Sequence, residues 1–172
     1  MYKKIKDKFI LAIVAGLIGD IALTFSDEIF LRLKISKRSF RESAAGIFVS
    51  SQREATSKGG IILGQIVSLM MSISGAITFL YTFSKTGRKH VVTKGIVLGS
   101  TLGCVIPALL SSLPMSKVKP TDASSNLSYI FSHCIYGITT ALTMTKLADD
   151  SVFSSERPID SAYSTDTTNL ND

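Results

Sequence analysis

Four long, nearly uncharged runs dominate the chain, at about 9–25, 59–83, 95–113 and 127–147, and polar segments rich in Lys and Arg separate them. Each run is close to the roughly 17–25 residues that a helix needs to cross a bilayer. Spanning β-strands would be shorter and would alternate, so the pattern predicts helices. The expected fold is all-α: an integral membrane four-helix bundle over residues 1–147, followed by a disordered acidic tail at 148–172.

The segment between the first two runs is too polar to span and too patterned for plain loop. Ser39 and Glu42 form an S-x-x-E capping box. Phe40, Ala44, Ile47 and Phe48 then recur at helical spacing, with Arg38, Arg41, Glu42 and Arg53 elsewhere on the surface. This predicts one amphipathic helix, about Phe40 to Glu54, lying in the membrane interface between spans 1 and 2.

Small residues recur every four positions in all four runs. Ala12, Gly16, Asp20 and Thr24 do so in the first; Gly60, Gly64, Ser68, Ser72 and Ala76 in the second. Gly95, Gly99, Gly103, Pro107 and Ser111 follow in the third, and His133, Gly137 and Ala141 share a face of the fourth. In lipid, where no hydrophobic force drives helices together, such ridges let backbones approach closely. Pro107 is expected to kink the third span and free a backbone carbonyl.

One acid breaks the first run. Asp20 sits on the ridge of Ala12 and Gly16, so it is expected to face protein and not lipid. His133, on the small face of the fourth span, is the expected partner. Counted from the span ends, the two lie within about 5 Å of the same depth. Such an intramembrane pair could exchange a proton near neutral pH, or simply hold helix register. Thr24, Gln65, Ser132 and Tyr136 are the groups that could satisfy the remaining hydrogen bonds.

Composition narrows the partners. Hydrophobic residues make up 45% of the chain and the mean hydropathy is +0.32, which points to the lipid bilayer. The formal net charge of +6 hides two regions, since every Lys and Arg except Arg157 precedes Ala148. Basic residues flanking spans suit anionic lipid head groups. Nucleic acid is not expected, because no basic, aromatic-interleaved domain is present. The first run reads as an uncleaved span, since Asp20 interrupts it and no convincing cleavage site follows. The Lys3, Lys4, Lys6 and Lys8 cluster and an even number of spans predict a multi-pass protein of the cell membrane with both termini cytoplasmic. Tyr2, Tyr81 and Tyr129 fall near span ends, as interfacial anchors would.

Chemistry is sparse. Cys104 and Cys134 fall inside spans and read as buried thiols. No G-x-S-x-G, H-E-x-x-H or P-loop occurs, one His and one Asp are too few for a structural metal, and neither enzyme activity nor a cofactor is expected.

The "GLIGD" of the first span, "KGIVLGSTLG" opening the third and "HCIYG" in the fourth resemble a group of small, uncharacterised four-span bacterial membrane proteins, over about Gly16 to Leu147. The chain differs from them in lacking a tryptophan early in the third span. The resemblance implies fold and location only. Two functions are expected from different classes: a structural, accessory or scaffold bundle, acting as a homo-oligomer or with a membrane protein partner, or a small proton-linked transporter using Asp20 and His133.

Overall fold

Asp7 starts the first helix, its carboxylate accepting from the N–H groups of Phe9 and Ile10 at 2.8 Å. The computed structural model describes residues 4–119 and 122–153, and every regular element among them is helical. Helix α1 (Lys8–Arg32) runs to the far end of the molecule, where two short helices follow, α2 (Phe40–Ala45) and α3 (Gln52–Ala55). Helix α4 (Lys58–Thr86) returns, begun by Ser57 and ended by Gly87 at φ 71°. Helix α5 (Val91–Ser112) goes out again, and α6 (Ala123–Leu147), capped by Asp122, comes back.

Three of these helices, α1, α4 and α5, are long and apolar enough to cross a membrane. The fourth long helix, α6, is the more polar one because it lies between the others, packed chiefly on α5 and α1. It buries Ser125, Ser128, Ser132, His133 and Thr140. The outside is the reverse: Phe9, Ile21, Phe25, Ile62, Tyr81 and Met70 are each at least 60% exposed. A surface this apolar over a small-residue, polar interior suits lipid as solvent.

Glycine makes the closest helix contacts. Gly95 and Gly99 of α5 lie on Gly137 and on the His133 carbonyl of α6, and Gly103 faces Ile130 and His133. A methyl on any of them would strike main chain or a ring. Gly16 brings α1 onto the Ser72–Ile73 backbone of α4. Gly60 and Gly64 have a different role from spans packing on spans: they sit under the carbonyls of Glu54 and Arg41, seating α3 and α2 on α4. Helix α5 continues through Pro107, which is buried and leaves the Gly103 carbonyl without its usual N–H.

The segment between α1 and α4 departs from the expected single helix. The capping box forms, Ser39 Oγ accepting from Glu42 N–H while Glu42 accepts from Ser39 N–H. The helix then closes at Gly46, and α3 restarts from a separate cap at Ser51. The apolar face turns into the protein. Phe40 and Ala44 are buried, with the Phe40 ring set edge-on to Tyr129 and His133 at 5.8 and 5.1 Å between centroids. Only Phe48 of that face stays exposed.

The same end is closed by the α5–α6 connection. Lys117 N–H donates to the Gly46 carbonyl at 2.8 Å, and Val118 fills the space between Ala45 and Ala55. Tyr129 is no interfacial anchor: it is buried, and its hydroxyl donates to the Arg38 carbonyl at 2.9 Å. Tyr81 is exposed, beside Lys85, and Tyr2 lies outside the described residues.

At the opposite end the first and last described segments meet. Ile5 N–H donates to the Leu147 carbonyl at 2.8 Å, and Asp149 N–H donates to Ile5 at 2.9 Å. Residues 148–153, expected in the tail, dock here through a 3-10 turn at Asp150–Val152 that buries Val152. Arg88 reaches Asp150 at 2.9 Å and stacks over Phe153. The rest of the tail, 154–172, lies outside the described residues.

Candidate functional site

The site is built on the seam between α1 and α4. Asp20 faces α4 and is 3% exposed. On α4, Gln65, Ser68 and Ser72 lie three and four residues apart, so one helix face carries all three. Gln65 Nε2 donates to Asp20 Oδ2 at 2.7 Å, and Ser68 Oγ and Ser72 Oγ both donate to Oδ1, at 2.8 and 2.9 Å. Thr24, one turn along α1, is 3.4 Å from the Gln65 amide.

A groove of about 470 Å³ runs along this seam toward the closed end, with Asp20, Thr24 and Gln65 on its inner wall and Ile21 and Phe25 on its outer rim. Glu28 and Arg41 close it. Their side chains pair at 2.8 Å, and Glu28 also takes Arg32 at 2.9 Å. Beyond them Asp27, also buried, accepts from Phe40 N–H at 2.9 Å and so ties α1 to the first turn of α2. Its other oxygen has no protein partner.

The expected contact between Asp20 and His133 does not form. His133 Nδ1 bonds the Tyr129 carbonyl at 2.8 Å, one turn back on its own helix, and its ring packs among Phe40 and Tyr136. Similar depth is not sufficient, because the two side chains leave their helices in different directions. Asp20 points from α1 to α4, and His133 sits where α6 meets α5 and α2. Ser68 and Ser72 lie between: they hold Asp20 on one side and, with His133 and Tyr136, line a cavity with room for about one water molecule on the other.

The polar groups expected to surround the pair divide in the same way. Gln65 bonds Asp20, while Tyr136 donates to the Ser72 carbonyl at 2.6 Å. Ser132 Oγ is buried without a partner. Sequence reasoning missed Ser68 and Ser72 as ligands of the acid, reading them as packing residues. It also missed Gly19, which lies against Tyr136 and Thr140 and lets α6 approach α1. The cysteines are less buried than expected, Cys104 being exposed and Cys134 half-buried; both are free thiols. Among the described residues no cluster of three or more His, Cys, Asp or Glu is placed to hold a metal ion.

The chain matches no protein-family model, no curated protein sequence and no solved structure.

Proposed function

We propose that this chain is a multi-pass protein of the cell membrane that works as a structural or accessory bundle, a scaffold for further copies of itself or for another membrane protein. Helix α6 is then a fourth crossing, its polar face turned to its neighbours and Leu127, Phe131 and Ile135 turned outward. The pairing of Ile5 with Leu147 and Asp149 supports an even number of crossings, because it brings the start of α1 and the end of α6 to one side. With the N-terminal lysines, it supports cytoplasmic termini, and the Lys and Arg at both ends of the bundle suit anionic head groups.

The observation that carries the scaffold reading is the satisfaction of Asp20. All its hydrogen bonds come from α4, so the acid ties two helices together, and His133 is engaged elsewhere. A proton-linked transporter working through these two residues has less support, since it needs them to exchange a proton across the serines. The test is site-specific photo-crosslinking in native membranes from the exposed positions Ile66, Ile77, Val97 and Leu109. A discrete protein adduct from one face is expected. Adducts to lipid alone from every face contradict a scaffold.

A further inference from the structure

We propose that the α1–α4 seam binds a small alkali cation, of the sodium or lithium class, on Asp20, Thr24, Gln65, Ser68 and Ser72. The inference rests on the seam itself and not on the scaffold reading.

The first argument is the choice of an acid. To join two helices in lipid, a neutral Asn would accept from Ser68 and Ser72 with far less desolvation, giving up the bond from Gln65. An aspartate leaves a negative charge to be balanced. Among the described residues no Lys, Arg or His pairs with it. The basic side chain in the groove, Arg41, acts on Asp20 only through its field, its guanidinium pairing directly with Glu28 at 2.8 Å. The other titratable neighbours offer no cation: Asp27 and Glu28 lie farther along α1, Tyr136 on α6 bonds the Ser72 carbonyl, and His133 bonds the Tyr129 carbonyl.

The second argument is the donor set. The hydroxyls of Ser68 and Ser72 meet one oxygen of the Asp20 carboxylate and the Gln65 amide the other, with the Thr24 hydroxyl behind that amide at 3.4 Å, so two helices supply the set. Hydroxyls that donate to the carboxylate turn to offer lone pairs, and the amide presents oxygen when it flips. Hard cations take such all-oxygen shells. One carboxylate with neutral oxygens matches a single positive charge, whereas a divalent ion is ordinarily held with more carboxylates.

The third argument is access. The groove of about 470 Å³ reaches Asp20 from the flank of the bundle, and Glu28 stands at its polar end. An ion that passes the Glu28–Arg41 pair can reach the carboxylate without parting the helices.

The experiment is thermal unfolding of the purified full-length protein in nanodiscs at pH 8, in sodium, lithium or choline chloride at equal ionic strength. Sodium or lithium is expected to raise the wild-type Tm saturably over choline, by about 5–10 °C at a hundred times Kd. Asp20→Asn should abolish the difference. The double variant Ser68→Ala with Ser72→Ala keeps the acid and should weaken the response, which covers the case in which Asp20→Asn fails to fold. Ser74→Ala, on an exposed position of α4, should respond as wild type does. Equal wild-type Tm values in all three salts overturn the proposal. So does a shift that survives in Asp20→Asn.

Discussion

The hydroxyl of Tyr136 donates to the main-chain carbonyl of Ser72 at 2.6 Å, so the residue whose side chain holds Asp20 is itself held by α6. Three helices meet at this point. Helix α1 contributes the acid, α4 the hydroxyls and α6 the phenol that fixes the backbone carrying them. The polar interior therefore links the helices, while lipid-like residues cover the outside.

Tyr136→Phe removes that link and little else, since the ring stays packed edge-on to Phe79 at 5.9 Å. Interhelical hydrogen bonds in membranes average about 0.6 kcal/mol, and a loss of this size is expected on unfolding in mild detergent. The Ser72 carbonyl keeps its place in the α4 ladder, so no larger penalty follows.

Asp20→Leu is expected to cost more than Asp20→Asn. Leucine strands three donors at once, and at about 0.6 kcal/mol each the loss comes to about 2 kcal/mol. Asparagine retains an accepting oxygen for the serines. The comparison of the two Tm values measures this, and equal values contradict a hydrogen-bonded clamp.

Glycine substitutions should separate seam from surface. Gly99→Ala drives a methyl into the His133 carbonyl and is expected to destabilise by at least about 1–3 kcal/mol. Gly59→Ala, whose nearest neighbour is Ser57 Oγ at 3.8 Å, should be neutral or gain up to about 1 kcal/mol from helix propensity. Yield and Tm of the folded protein report both.

Phe40→Ala tests the closed end. The ring is buried against Tyr129 and His133, and its removal is expected to cost about 3–5 kcal/mol. Protease accessibility around Arg53 and Lys58 should rise, because α2 loses the side chain that seats it. A connector merely resting on lipid would show neither effect.

What could be read in the sequence follows from how far each signal reaches. Long apolar runs are local, so helices were legible from residue type alone. The four-residue period puts Asp20 on the side of α1 that carries Ala12 and Gly16, and all three are buried. Which helix receives that side is a matter of docking direction, and neither depth nor period encodes it. Depth and period alone pair Asp20 with His133, yet Gln65, Ser68 and Ser72 hold the carboxylate. Their own spacing on one face of α4 is a usable signal, once an acid is known to face them. The connector fails for another reason. Hydrophobic spacing across Phe40 to Phe48 continues smoothly, but Gly46 and Ser51 end one helix and begin another. Tyr129 lies near a span end in sequence, while the Arg38 carbonyl beneath the cap takes its hydroxyl.

The measurement that tests the central claim most directly is pH-driven proton uptake into proteoliposomes, for wild type and Asp20→Asn, with thermal stability recorded on the same preparations. The account predicts no proton flux in either and a lower Tm for the variant, because Asp20 holds α1 to α4. Proton flux that is present in wild type and lost in the variant would contradict it, making Asp20 a coupling residue and the bundle a carrier.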